Sequence, residues 1–444
     1  MLAADSDSSL STSTPEAVRE WPAPTVQVSA ARAYLSECAA SDAHTLLLPD
    51  KDADGLCSGL IVYHTLVHLG LAPANLTVHF PAKGTNIHAP AERAALSRYG
   101  ARFVIVTDQG SRGGPPLVDD PAAKTLILDH HWSTEFPQGA VVCSAAQCEP
   151  VATSATLSYD VCLPLLDVGR DDALRERLEY LCAMGTMGDL GTGFKWAPPF
   201  PDVRDCLKKW KKKVLGEAIG LLNAPRRSAE YDVATAWRAL LHASSPRALV
   251  DPAAPSADVR RLFAARAQVK AEVDRCARRP PTFSGDGRVA LVRVSSPAQV
   301  HPLIATRWSS SLKGARLEVV MCANDGYTPG MTNFACRVAR AGGPNAGAKR
   351  KQMTGDGGYG GTDIIATLKE YAGRAPGLRE AMGDDFARGH REASGGIVRT
   401  EDFERLWEVM AHAEKEGGEP DGPSKRKKTT PPQKNTLEGW LKKP

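Results

Sequence analysis

The sequence predicts an α/β protein: a parallel sheet with helices on both faces, then a helical connector, then a smaller α/β domain. Three observations predict it. From Val26 to about Trp196, short apolar runs alternate with stretches of helical period, the pattern of buried parallel strands joined by crossover helices. Three of those runs, HTLLLPD, RFVIVTD and KTLILD, each stop on an aspartate. Residues 200 to 280 are mostly helical in period, and strand character returns from about Gly287.

In chain order, residues 1–25 are rich in Ser, Thr, Pro and Ala and read as a disordered leader. With no basic start and no apolar core, that leader is not a secretory signal. The domain at 26–196 begins with the helical SAARAYLSECAA, the strand HTLLLPD and the helix LCSGLIVYHTLVHLG. LTVHF is a strand, PAERAALSRYG a helix, and RFVIVTD and KTLILDHH are two further strands. YLCAMGTMGDLG is a helical run entering a turn bounded by glycines, and it delivers Asp189. LKKWKKKVLGEAIGLLNA and ADVRRLFAARAQVKAEVDRCARR make 197–285 a helical connector. In the domain at 286–416, RVALVRV, RLEVVMCA and TNFACRVAR are strands, and AGGPNAGAKRKQMTGDGGYGGTD is a loop. The helix DIIATLKEYAGRA, the segment GHREASGG and the amphipathic TEDFERLWEVMAHAEK follow, and 417–444 is a basic disordered tail.

At 444 residues the chain accommodates two or three domains. Its 42% hydrophobic and 24% charged residues are ordinary for a globular protein. No apolar run reaches membrane-spanning length. Ten cysteines form no CxxC pair, which argues against zinc-site spacing and a disulfide framework and for a reducing compartment. The net charge is +4, but residues 420–444 hold seven Lys or Arg against two acids, so the rest of the chain is close to neutral. Attraction to nucleic acid is therefore expected to be local.

The chemistry concentrates in the acids. Asp50, Asp52 and Asp54 in PDKDADG, Asp108 and Asp129 would all stand at carboxyl ends of parallel strands, where ligands bind in such sheets. His130 and His131 follow Asp129. Convergent carboxylates with histidine and no thiolate suit hard or borderline divalent ions, Mn²⁺ ahead of Mg²⁺. So many carboxylates exceed one ion, and two ions roughly 3.5–4 Å apart would balance them. Singly, DADG reads as a turn and DHH as a helix cap with solvated histidines; jointly, at successive strand ends, they point to a metal site.

DKDADG, VTDQG, LDHH and GTMGDLG, in that order, resemble the four motifs of the DHH phosphoesterase superfamily, which includes the RecJ exonucleases. TSATLSYDV is similar to that family's helix after the third motif, and LLNAPRR to its RecJ-like connector. ARGHREASGG resembles the glycine-histidine signature of a DHHA1-type substrate-binding domain, with NFACRVAR its arginine-bearing strand. The resemblance implies one ion on Asp50, Asp52 and Asp108 and a second on Asp54, Asp108, His130 and Asp189. It implies that Asp129 orients a histidine and His131 contacts the scissile phosphate. Arg337, His390, Gly395 and Gly396 become the substrate-binding candidates.

The implied function is a two-metal phosphodiester hydrolase, a RecJ-like exonuclease on single-stranded DNA or short oligonucleotides. Alternatives are a phosphoesterase of dinucleotides or cyclic dinucleotides and a non-catalytic DHH-type replication scaffold. LKKWKKK suits single-stranded nucleic acid or, equally, a solvated helix face with one anchoring tryptophan. In the tail, Lys425, Arg426, Lys427 and Lys428 resemble a nuclear-import signal. Leu437, Trp440 and Leu441 resemble a degenerate sliding-clamp-binding box, whose glutamine would fall at Lys434. Together they imply a nuclear protein of DNA replication or repair; without them the expected place is the cytoplasm.

Overall fold

Five buried residues, Thr45–Pro49, make strand β1, the first strand of the first sheet. The computed structural model describes residues 20–166, 172–254, 256–341, 361–383 and 386–414. The leader to residue 19, most of the Gly-rich stretch and the tail with Lys425–Lys428, Leu437, Trp440 and Leu441 lie outside the described residues. The described residues divide into two compact units. One runs to Ile219 and takes in Leu241–Val250; the other comprises Gly220–Leu240 and the chain from Asp251.

In the first unit, α1 (Thr25–Ser41) precedes β1, and α2 (Ala53–His68), β2 (Leu76–Val78) and α3 (Pro90–Ser97) follow it. Then come β3 (Phe103–Thr107), β4 (Lys124–Asp129), β5 (Ala140–Ser144), α4 (Ser154–Cys162) and α5 (Asp172–Leu190). The five strands are parallel in the order β2-β1-β3-β4-β5. Leu46 and Leu48 of β1, Val104 and Val106 of β3 and Ile127 of β4 pack on one face with Ile87, Leu96 and Leu117. Like β1, β3 is buried throughout, as expected where helices cover both faces. Strand β5 was not among the predicted strands. It is only partly buried and lies at the sheet edge, where the continuous apolar signal of a central strand fades.

Between 204 and 276 the chain is helical: α6 (Arg204–Trp210), α7 (Lys212–Leu222), α8 (Val233–His242), α9 (Pro246–Leu249) and α10 (Ala257–Cys276). The second unit's sheet holds β6 (Thr282–Phe283), β7 (Val289–Val294), β8 (Val319–Thr328), β9 (Met331–Val338), β10 (Arg388–His390) and β11 (Ala393–Arg399). Its order is β10-β11-β9-β8-β7-β6, mixed, with β7 and β8 parallel and the other pairs antiparallel. Helices α12 (Ile364–Gly373), α13 (Leu378–Ala381) and α14 (Thr400–Ala411) belong to this unit. Met321, Phe334 and Cys336 pack with Leu368, Tyr371, Phe403 and Leu406 on one face. Val292, Cys322 and Ala335 pack with Val300 and Ile304 on the other, where α11 (His301–Ser309) lies.

The GHREASGG segment, left without an element in the sequence, forms β10, the turn after it and the start of β11. Gly395 permits this: a Cβ there would collide with the Phe334 carbonyl of β9. Its close backbone approach is therefore to its own sheet.

Candidate active site

The strand register builds one row of acids. Pro49 pairs with Thr107 and Thr107 with Leu128, so the next residues, Asp50, Asp108 and Asp129, stand side by side at the carboxyl edge. The row is tied by the Asp50 N–H donating to the Thr107 carbonyl at 3.0 Å and the Asp108 N–H donating to the Leu128 carbonyl at 2.9 Å. Strand order reverses direction between β1 and β3, and ligands of open parallel sheets gather at such a reversal.

Asp52 starts α2. Its Oδ1 accepts from the backbone N–H groups of Asp54 and Gly55 at 3.1 and 3.3 Å, a cap that satisfies helix donors otherwise left without partners. Gly55 is required by the tightness of this turn, since a Cβ would stand 2.5 Å from the Asp50 carbonyl oxygen. The turn puts Asp54 wholly inside. Its two carboxylate oxygens accept from the Ser154 and Ala155 N–H groups at 2.9 and 3.0 Å, at the first turn of α4, where an anion is favoured.

Asp108 has φ of 63°, a left-handed backbone that aspartate tolerates better than most residues. Its Oδ1 accepts from the Ser154 hydroxyl at 2.9 Å and lies 3.3 Å from His130 Nε2. The same Nε2 is 3.5 Å from an Asp189 oxygen and 4.0 Å from Asp54. Asp189 sits inside the last turn of α5, so the helix continues past the point where the glycines predicted a turn. Packing of this buried helix outweighs their low propensity.

Three groups of donor atoms each lie within 4.8 Å of one another: Asp50 with Asp52 and Asp108, Asp54 with His130 and Asp189, and Asp108 with both histidines. Burial first, then the carboxylates of Asp189 and Asp52, push Asp54 well above the usual carboxylate range, against the two backbone donors. Burial, then Asp54, Asp52, Asp189 and Asp50, do the same to Asp108. Burial keeps His130 below its ordinary value despite these acids. Such a cluster carries excess negative charge that cations would balance, and the donor set, carboxylate and imidazole without thiolate, fits hard or borderline divalent ions.

Asp129 is fully buried and differs from its neighbours. Burial pushes its pKa up, but the His131 hydrogen bond and charge, the Ser111 N–H and His130 hold it below the usual value. Its Oδ1 accepts from the His130 and His131 N–H groups at 2.8 and 3.2 Å and lies 2.8 Å from His131 Nδ1. That pairing, with the charges of Asp50 and Asp189, outweighs desolvation and raises His131 to about 9. With Nδ1 on Asp129, the Nε2 of His131 is turned away from it.

Ser154 escaped the sequence reading. TSATLSYDV could be placed as a helix, but nothing in its sequence tells that Ser154 serves two aspartates at once. Trp210 of LKKWKKK packs edge-to-face on Tyr180 at 6.2 Å, and the Lys209 ammonium lies over its ring at 4.9 Å. That is the anchoring-tryptophan alternative.

In the second unit, Arg337 donates to the Cys336 carbonyl at 2.8 Å and has no carboxylate partner among the described residues. Burial, opposed by Cys336 and reinforced by Arg340, lowers its pKa. Register places Arg337 opposite Ala393 and Ala335 opposite Gly395, with Gly396 next along β11. His390 lies on β10. Burial and the Arg337 charge hold the nearly enclosed His301 neutral, at about 3.

No family model and no curated protein matches this chain. Solved structures do. RecJ from Thermus thermophilus in complex with Mn²⁺ is 16% identical with a TM-score of 0.58, covering 87% of this chain and 54% of that one. The exonuclease RecJ bound to manganese is 16% identical with a TM-score of 0.55, covering 88% and 96%. A DHH domain from a member of the s1p family of ribosomal proteins is 12% identical with a TM-score of 0.55, covering 89% and 94%. The chain spans about half the length of the Thermus RecJ. At these identities the likeness is one of fold: the chain has a RecJ-like fold.

Proposed function

We propose that this chain is a metal-dependent phosphodiester hydrolase that removes nucleotides from single-stranded DNA or short oligonucleotides. One observation carries the reading: two wholly buried aspartates, Asp54 and Asp108, share a single histidine, His130, with three further acids within reach. A fold has little reason to tolerate that repulsion except to hold cations. Asp50, Asp52 and Asp108 would hold one ion, and Asp54, Asp108, His130 and Asp189 the other. Bound there, divalent ions supply Lewis-acid polarisation of phosphate and an acidified water. RecJ has been solved with Mn²⁺ and with Mg²⁺; on the donor set we favour Mn²⁺.

The chain's own residues do the rest. Asp129 fixes the His131 ring, and the imidazolium presents Nε2–H to a non-bridging phosphate oxygen, a charge-assisted bond. Ser154 fixes the Asp108 carboxylate. Arg337, with His390, Gly395 and Gly396, is the candidate grip for a second phosphate.

A second reading, cleavage of dinucleotides or cyclic dinucleotides, is favoured by the near-neutral chain outside its tail and by the packed Trp210. A scaffold that had lost catalysis would be expected to have lost ligands, and every acid of the cluster is present. Action in nuclear replication or repair rests on Lys425–Lys428 and on Leu437, Trp440 and Leu441 as a clamp-binding segment.

The test is product release from end-labelled single-stranded DNA and RNA with Mn²⁺, against an Asp52→Ala/Asp108→Ala control. Mononucleotides from one end, absent with the control, are expected. Cleavage of dinucleotides alone would move the assignment to the second reading, and inertness toward all of them with metal bound would move it to the scaffold.

A further inference from the structure

We infer that Trp132 is a stacking platform for a nucleobase of the substrate, an inference that rests on the phosphodiesterase reading above. Of the eight tryptophans, Trp440 lies outside the described residues. Of the remainder, Trp132 alone is an exposed large apolar residue, at 71%. An indole left in water forgoes one of the largest burial gains any side chain offers. Its ring makes no aromatic contact or hydrogen bond among the described residues.

The position is specific. Trp132 directly follows His131, whose Cα is about 3.8 Å away across one peptide bond. The indole is therefore carried by the residue next to the one assigned to the scissile phosphate.

The backbone that carries it is tied on both sides. Before it, the His130 and His131 N–H groups donate to Asp129. After it, the Ser133 hydroxyl donates to the Glu135 carbonyl at 2.6 Å and accepts from the Glu135 N–H at 3.0 Å. Further on, the Gln138 N–H donates to the Gly114 carbonyl at 3.0 Å. An aromatic held out on a fixed backbone binds a planar partner at little cost in ordering.

The surroundings favour a base over a protein surface. The other exposed large apolar residues are Val26, Tyr99, Phe283 and Ile397, none of them near Trp132 in sequence, and the local chain is HHWSTE. A single aromatic among polar groups suits one flat ring better than an extended apolar interface. Every base has a π face, so this contact would strengthen binding of any nucleotide without reading its sequence.

The experiment is a two-by-two comparison: wild type and Trp132→Ala, each on a single-stranded oligonucleotide and on the same strand made abasic at its terminal nucleotides. On the native strand Trp132→Ala should lower kcat/KM roughly 5- to 150-fold, the worth of one stacked base. On the abasic strand the two proteins should be equal, and Trp132→Phe should keep most of the native rate. Equal rates on the native strand, or an equal loss on both strands, would overturn the inference. The same four pairs are titrated with Ca²⁺ in place of Mn²⁺ and read by anisotropy, which scores the contact without turnover. If wild type binds strands but cleaves none, the hydrolase reading falls while this comparison still decides the role of Trp132.

Discussion

Removing Asp189 should stabilise the metal-free protein and weaken its response to metal. Asp189 and Asp54 share a group whose donor atoms lie within 4.8 Å. At that separation two carboxylates repel by about 3.5 kcal/mol at an effective dielectric of 20. The Asp189 side chain is 34% exposed, so screening leaves about 1–2 kcal/mol to be recovered by Asp189→Ala. For a unit of about 200 residues that is a rise of roughly 2–8 °C in Tm in EDTA at neutral pH. The sign follows from linkage. Asp54 and Asp108 are held above the ordinary carboxylate value, so above about pH 4 the folded chain binds protons that the unfolded chain has released. Their contribution is present below that pH and is lost as pH rises toward neutrality. The gap between variant and wild type should therefore widen as pH increases. With Mn²⁺ the order reverses. Two ions, each at a hundredfold its Kd, add about 2.7 kcal/mol apiece, roughly 10–20 °C for the wild type, and Asp189→Ala should lose about half of it. Differential scanning fluorimetry with EDTA and with Mn²⁺ at several pH values measures all of this. A variant less stable than wild type in EDTA, with its Mn²⁺ increment intact, would refute the idea that the cluster is a repulsive site built for cations.

Ser154→Ala leaves the buried Asp108 oxygen without its donor, an expected loss of about 1.5–3 kcal/mol by chemical denaturation with a fall in kcat larger than the change in KM. Gly55→Ala drives a methyl into the Asp50 carbonyl and should lower stability by about 1–3 kcal/mol and weaken Mn²⁺ binding measured by calorimetry. In EDTA the His131 ring should titrate at about 9 when followed by NMR, and Asp129→Asn should move that titration toward the ordinary histidine value near 6.5. A chain ending at residue 416 should keep full hydrolytic activity and lose any affinity for a sliding clamp, measured by surface plasmon resonance against the full chain.

The first sheet and its acids were legible because burial on both faces demands unbroken apolar runs, and an aspartate closing such a run is conspicuous. Asp50, Asp108 and Asp129 could be placed at the ends of successive strands from the sequence alone. Which of them carry charge could not. Asp129 is held low and Asp108 high although both are buried, because Asp129 faces His131 and backbone donors while Asp108 faces other acids. Ser154 was invisible for a related reason: a serine at a helix start is common, and its role depends on a contact 46 residues away in sequence. β10 and β11 were not legible as strands because Gly395 and Gly396 have low strand propensity, which the close packing of Gly395 on β9 overrides. The apolar neighbours of Trp210 come from other elements, so LKKWKKK by itself could not say whether the ring was free.

The shared row of Asp50, Asp108 and Asp129 also has a consequence for how such a protein can change over time. Neighbouring strands stand about 4.8 Å apart because backbone hydrogen bonds set that distance, so the sheet acts as a ruler whose graduations no side chain can alter. Exchanges elsewhere in the unit that keep its core packed and its tight turns intact leave these three marks in place. Adding or deleting one residue within β1, β3 or β4 would turn an acid to the opposite face, whereas the connections between strands can lengthen freely. Lineages descending from such a molecule would be expected to diverge widely in composition and in loop length, and hardly at all in the lengths of three short strands.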